Sequence, residues 1–468
     1  MIDWQKEAEA RRESLLEDLQ GLLRIESVKE PATMTKKNPM GRGIGEALDY
    51  MLELAENAGL DVGNVDGYAG YAQYGDHDPA STIGVLGHLD VVPAAGTWTS
   101  PPFEPAIRGG RLYARGAIDD KGPTLAALYG LRIVMNLGLP LSKNVRLIFG
   151  TDEESGMSCM RYYAEKEGMP TTGFSPDADF PIIYAEKGQF NPTLVPKQAP
   201  ETTKSLAKLE SFEAGVRVNM VPERAHAVLS GDVRALVEAF GDFCRERGVE
   251  GEAEINAGQA MFTLLGVSAH GSEPRSGVNA GTLLASFLQD APVQPEAKAF
   301  IGLLNLLHED FEGERIGIAC RDEVTGALSV NPGVLRFGLG ESDTEIQFTA
   351  RCPVTADYGR IKGQLEEAVD GFGFRIADVR EIGSHHVDRN EPVIAALQTA
   401  YAEVTGDEPT LLTTGGATYA RFMPKGVAFG ACFPGKEMTA HQADEYIEID
   451  DLLKATAIYA RAIYELAK

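Results

Sequence analysis

Between residues 82 and 190 the chain alternates short apolar runs with a helix that has no polar face. TIGVLGHLDVV (82–92) and NVRLIFG (144–150) read as buried strands. GPTLAALYGLRIVMNLG (122–138), between them, reads as a helix that is apolar nearly all round. Strands without a polar face belong to largely parallel sheets covered by helices. Such α/β units bind ligands beyond the carboxyl ends of their strands. Chemistry is therefore expected just after each apolar run.

The rest of the chain is built around this unit. Leu15, Leu16, Leu19, Leu22 and Leu23 fall at helical spacing in residues 4–25. A second helix is predicted from Ile44 to Ala58 and a terminal one over 448–467. The GRGIG that opens the second lacks the preceding strand and the Lys-Ser/Thr of a phosphate loop, and reads as a flexible helix entry. From about 187 to 386 the texture changes. Strand-like stretches (VRVNMVPERAHAVLSGDV, AMFTLLGVSAHG, EIQFTARCPV) mix with amphipathic helices at 278–290 and 359–370, which predicts an α+β insert. A length of 468 residues suits two domains, one of them interrupted.

Composition narrows the function. With 43 Lys and Arg against 69 Asp and Glu, the net charge is −26. That surface repels phosphate backbones and anionic lipid, so nucleic acid and membrane are excluded as partners, whereas cations are admitted. The five cysteines show no CxxC spacing and are odd in number. The N-terminal stretch has no apolar core, and no run approaches the roughly 18 apolar residues of a membrane span. These features predict reduced thiols in a cytoplasmic protein.

Five segments carry the candidate chemistry. His88 and Asp90 lie at the end of the first strand; alone, this pair fits a core histidine as well as a metal ligand. Asp119 and Asp120 open the buried helix, as a charged first turn or as a cation site. Asp152, Glu153 and Glu154 follow the strand NVRLIFG, where three consecutive acids are hard to explain by solubility alone. Asp177 and Asp179 sit in the acidic turn SPDADFP, and His441 in the late AHQADEY. Two histidines with several carboxylates form a set in which one acid can hold a metal and its neighbour act as base.

GHLDVV, RLYARGAIDDKGP, GTDEESG, SPDADFP and AHQADEY, in this order, resemble the di-zinc aminoacylase/carboxypeptidase superfamily of metallopeptidases. Within it the chain is most similar to the PepV-like dipeptidases (Xaa-His dipeptidase, carnosinase-like), over essentially its whole length. The resemblance implies a di-zinc exopeptidase-like α/β catalytic domain at 1–186 and 387–468. The insert at 187–386 would be an α+β lid with room for two similar halves. It implies that His88 and Asp177 bind one metal, that Glu154 and His441 bind the other, and that Asp119 bridges both. Asp90 would support His88, and Glu153 would be the general base toward a metal-bridging hydroxide. Charges agree: two divalent ions against Asp119, Glu154, Asp177 and one hydroxide sum to zero.

In the insert, GVSAHGSEP resembles the family's lid motif, whose histidine (His270) stabilises the oxyanion. Asn219 and Arg351 match residues that hold the substrate's C-terminal carboxylate. Gly415 and Gly416 match a backbone segment approaching the same group, with Ala417 standing where the family carries a third glycine. The implied activity is hydrolysis of unblocked dipeptides, β-Ala-His among them, with two divalent ions: zinc, or Mn²⁺ or Co²⁺ given the oxygen-rich set. The implied assembly is a monomer whose lid acts in cis on a small peptide. The alternatives are an N-acyl-amino-acid deacylase, desuccinylase or aminotripeptidase of the same superfamily, or a non-catalytic metal- or ligand-binding protein on that fold.

Overall fold

A computed structural model of the chain describes residues 2–197, 205–338 and 343–468. The stretches 198–204 and 339–342 of the predicted insert lie outside the described residues. Two compact units form. One holds residues up to Ala185 with His386–Thr413 and Ala417–Lys468; the other holds Glu186–His385 with Thr414–Gly416.

In the first unit the strand Thr82–His88 lies between Asn144–Gly150 and Thr172–Ser175, parallel to both. Lys425–Ala428 continues the parallel run, and the hairpin Asp61–Val65/Ala69–Tyr74 borders it antiparallel. Register pairs His88 with Gly150, and the Leu89 N–H donates to the Gly150 carbonyl. The Ser175 hydroxyl donates to the Leu86 carbonyl. Three neighbouring strands therefore end at one edge, and the residues that follow each of them emerge together.

The predicted buried helix spans Lys121–Asn136, and its first eleven residues are all buried. It packs against the terminal helix Ile449–Ala467. Gly130 permits that approach, since a Cβ there would stand 2.8 Å from the Ala460 nitrogen. The helix predicted over 4–25 is instead two, Trp4–Glu9 and Arg12–Leu23. In a continuous helix the Glu7 carbonyl would take the Arg11 N–H; here it takes Arg11 Nη1, and the Arg11 N–H turns to the Ala8 carbonyl.

The second unit holds the short pair Arg321–Asp322/Gly326–Ala327 and, among its described residues, an antiparallel sheet of eight strands. Their order is Gly251–Asn256, Gln259–Leu265, Arg224–Gly231, Ala207–Ala214, Ser329–Phe337, Glu345–Cys352, Gly188–Pro196 and Phe374–Ile382. Alternate residues are buried against helices, including Ala280–Phe287, Pro295–Leu307 and Tyr358–Asp370. Of the strand predicted across 216–233, only Arg224–Gly231 forms. Pro222 offers no N–H to a ladder. Asn331 Nδ2 instead holds the preceding turn through the Val218 and Met220 carbonyls.

Candidate active site

The three strand ends of the first unit carry most of the acidic set. His88 is buried, with Nδ1 2.9 Å from the Asp90 carbonyl oxygen. A carbonyl only accepts, so the proton sits on Nδ1 and Nε2 is left for other partners. Nε2 stands 3.1 Å from Asp119 Oδ1 and 3.7 Å from Asp177 Oδ2. His441 Nε2 lies 3.0 Å from Asp119 Oδ2 and 3.1 Å from Glu154 Oε1. One aspartate thus meets a histidine at each of its oxygens, with Asp177 on one side and Glu154 on the other. His441 is held in the left-handed region at φ 66, a backbone uncommon outside glycine and frequent at functional sites.

Asp90 reaches more than the expected His88. Its carboxylate accepts the N–H groups of Glu153 and Glu154 at 3.0 and 3.1 Å, while Oδ1 is 3.5 Å from His88 Nδ1. It fixes the acid turn as well as the imidazole. Asp120 occupies the N-cap position of the buried helix without capping it; Oδ2 accepts the Thr124 hydroxyl and the His88 N–H.

The electrostatics are those of a site overfilled with negative charge. Burial would lower the His88 pKa, but Asp177, Asp119 and Asp90 hold it well above the usual imidazole range. His441 is pushed up to about 11 against burial by Asp119 and Glu154. Burial, aided by surrounding acids, raises Asp177 to about 6 and pushes Glu154 up. Glu153 rises well above its ordinary value through burial, then Asp177, Glu154 and Asp90. Its Oε1 is buried without a hydrogen-bond partner.

Such a set calls for cations. Ligand atoms of His88, Glu153 and Asp177 lie within 4.8 Å of one another, as do those of His88, Asp119 and Glu154. Imidazole with carboxylates suits zinc and other divalent ions. The residues present therefore fit a divalent metal.

Three residues around the site were not singled out in the sequence. Glu445 is fully buried; Oε1 accepts the Ile118 and Asp119 N–H groups, and Oε2 lies 2.5 Å from Arg115 Nη1. Its pKa is raised to about 7 by burial and by Asp119, against Arg115. Tyr419 stands edge-on to His88, and its hydroxyl accepts the Asp152 N–H and contacts Cys159 Sγ. Gly150 makes room for it, since a Cβ would fall 2.3 Å from the Tyr419 ring. Arg115 and Glu445 both lie inside quoted motifs, but a pair 330 residues apart leaves no local signal.

The remaining predicted residues belong to the second unit. The Gly271 N–H donates to the Asn219 carbonyl, and Met220 bridges His270. The His270 ring is exposed, with Nδ1 2.6 Å from the Ser272 hydroxyl. Arg351 is buried opposite Ser329, whose hydroxyl donates to the Ser272 carbonyl. Gly415 packs on the same group: a Cβ would lie 2.7 Å from Ser272 Cβ and 3.8 Å from Arg351 Cγ. The Gly416 N–H turns back to the Thr414 hydroxyl. So His270 and Gly415 lie against Ser272, Arg351 is opposite the Ser329 that bonds the Ser272 carbonyl, and Asn219 touches the adjoining Gly271 backbone. Of the other histidines, His226 meets Thr263, His308 meets Thr282 and His386 meets Tyr184.

The model of peptidase family M20/M25/M40 matches residues 84–465. The chain belongs to this family. It is a hydrolase of the metallopeptidase class. Relatives match over full length. A Bacillus subtilis (strain 168) protein named "Putative dipeptidase YtjP" is 45% identical over 469 residues, covering 100% of both chains. A Staphylococcus aureus (strain bovine RF122 / ET3-1) protein, SAB1611c, with the same form of name, is 37% identical and 99% of each chain is covered. Among solved structures, human carnosine dipeptidase 1 matches with TM-score 0.60 at 15% identity, over 99% of this chain and 98% of that one. The dipeptidase Dug1p of Saccharomyces cerevisiae matches with the same score, identity and coverage. These likenesses show the fold, a catalytic α/β domain carrying a lid domain. Among the described residues no helix is long and apolar enough to cross a membrane.

Proposed function

We propose that this M20-family metallopeptidase is a dipeptidase acting on unblocked dipeptides. The observation that carries the proposal is Asp119, with a histidine at each oxygen and a buried, unpartnered Glu153 oxygen beside the set. The names borne by the full-length relatives support the dipeptide substrate.

In this reading His88 and Asp177 hold one divalent ion, Glu154 and His441 hold a second, and Asp119 serves both. Such ions, zinc foremost, would polarise the peptide carbonyl and make water a nucleophile near neutral pH. Glu153 is the general base of this reading. Its carboxylate takes a proton from the attacking water and hands it to the leaving amine. Burial and the neighbouring acids raise its pKa, and metal held by Asp177 and Glu154 would offset part of that rise and leave Glu153 ionised to accept the proton. Asp90 keeps Glu153 and Glu154 in register through their N–H groups.

The second unit recognises the substrate. Arg351 presents a planar fork that can pair both oxygens of a C-terminal carboxylate, with Asn219 and the Gly415–Gly416 backbone beside it. His270 donates to the developing oxyanion. A carboxylate fixed in this way would make the last peptide bond the one cleaved, and the limit to two residues rests on the names of the full-length relatives.

Glu153→Gln keeps the shape and removes the base. It is expected to retain two zinc ions by metal analysis while kcat falls about 10²–10⁴-fold. Unchanged turnover would remove Glu153 from this role.

A further inference from the structure

The family match begins at residue 84, yet a segment well before it reaches three of the five segments that bear the candidate set. Residues 22–29 leave the last turn of the helix Arg12–Leu23, turn at Arg24 and Ile25 and continue as a strap. Toward the His88 loop, the buried Ser27 hydroxyl donates to the Leu89 carbonyl at 2.6 Å, and the Val91 N–H donates to the Ser27 carbonyl. Val28 bridges Val91 in parallel. Toward the Asp119 loop, the buried Lys121 ammonium donates to the Ile25 and Leu22 carbonyls at 2.7 and 3.2 Å. Toward the acid turn, Lys29 Nζ lies 2.7 Å from Asp152 Oδ1 and donates to Ser155 Oγ at 2.8 Å.

The third contact matters most, because it holds the residue next to Glu153. The Asp152 side chain is 2% exposed and carries the turn on both oxygens: Oδ1 takes Lys29 and the Ser155 hydroxyl, and Oδ2 takes the Ser158 N–H and hydroxyl. A buried carboxylate deprived of its cation is left with an unpaired charge, and the search for another partner moves the turn. Partners that orient ligand-bearing groups typically change metal affinity about 10–100-fold when removed. Position, not charge at the metals, is what Lys29 supplies.

We propose that Leu22–Lys29 is a positioning strap for the metal site and that Lys29 is the positioning residue for the turn bearing Glu153 and Glu154. This rests on the site reading above. Zinc titration calorimetry on metal-stripped full-length protein tests both separately. The proteins are wild type, Lys29→Met, Lys29→Arg, Ser27→Ala, Asp119→Asn and Lys143→Met. Lys143 donates to the Leu466 carbonyl away from the strap, so its variant reports the general cost of losing a partly buried lysine. Lys29→Met is expected to weaken zinc binding about 10–100-fold, Lys29→Arg to restore most of it, and Lys143→Met to leave it unchanged. Ser27→Ala should weaken it too, and reads the strap independently if Lys29→Met does not fold. Wild-type affinity in both Lys29→Met and Ser27→Ala would overturn the strap while leaving the site intact. No zinc uptake by wild type, or undiminished uptake by Asp119→Asn, would overturn the site reading and the strap with it.

Discussion

Asp119 can be shared only if its backbone is fixed, because a rotation that improves one histidine contact spoils the other. Glu445 supplies the restraint by accepting both N–H groups at Ile118 and Asp119, and Arg115 pairs with its other oxygen and opposes the rise in pKa that burial brings. Losing one partner of a buried charged pair costs about 3–5 kcal/mol. Glu445→Gln keeps the shape but weakens the pair. It is expected to lower the urea midpoint and to raise the zinc dissociation constant about tenfold or more, with a much smaller effect on kcat at saturating zinc. A fall in kcat with unchanged zinc affinity would contradict a positioning role. The ligand candidates His88, Asp177, Glu154 and His441 were legible in the sequence because each follows a recognisable apolar run or motif. Glu445, Tyr419 and Lys29 were not, because their work is done through contacts distant in sequence.

The buried helix Lys121–Asn136 carries Asp119 and Asp120 at its entry and is held from its flanks. Its Tyr129 hydroxyl donates to Asp18 Oδ2 at 2.6 Å, joining it to the helix Arg12–Leu23. Burial first, then Asp18, raises the Tyr129 pKa to about 12. A folded-state pKa above the unfolded value near 10 stabilises fully below pH 10. That contribution is lost as pH rises toward 12. Tyr129→Phe is therefore expected to cost about 1 kcal/mol at neutral pH and to flatten the fall in stability between pH 10 and 12, measured by urea unfolding. An unchanged alkaline slope would contradict it. Helices and core strands followed from periodicity, because burial on all sides leaves an unbroken apolar run. The break at Ala10–Arg11 and the missing strand at 216–223 did not, since one depends on a side chain taking a backbone carbonyl and the other on Asn331, more than a hundred residues away.

The acidic balance of the chain, −26, is concentrated in function where several carboxylates share one strand edge. Without a cation these acids are neutralised by raised pKa values and charged histidines; with one, folding and binding are linked. Removal of metal with a chelator is expected to lower Tm, and zinc at 100 times its dissociation constant to restore about 2.7 kcal/mol. A Tm indifferent to both would count against a cation site in the native fold. The family was legible from five motifs in order, whereas the residues proposed to hold the substrate came from resemblance alone, since the contacts that bring Gly415 and Arg351 toward Ser272 span distant parts of the chain. The decisive measurement is hydrolysis by zinc- or manganese-loaded protein of four compounds: a free dipeptide, β-Ala-His, a free tripeptide and an N-acetyl amino acid. Turnover of dipeptides alone, abolished in Glu153→Ala, is the predicted result. Turnover of the acetylated compound alone, or equal turnover of the tripeptide, would contradict the dipeptidase assignment.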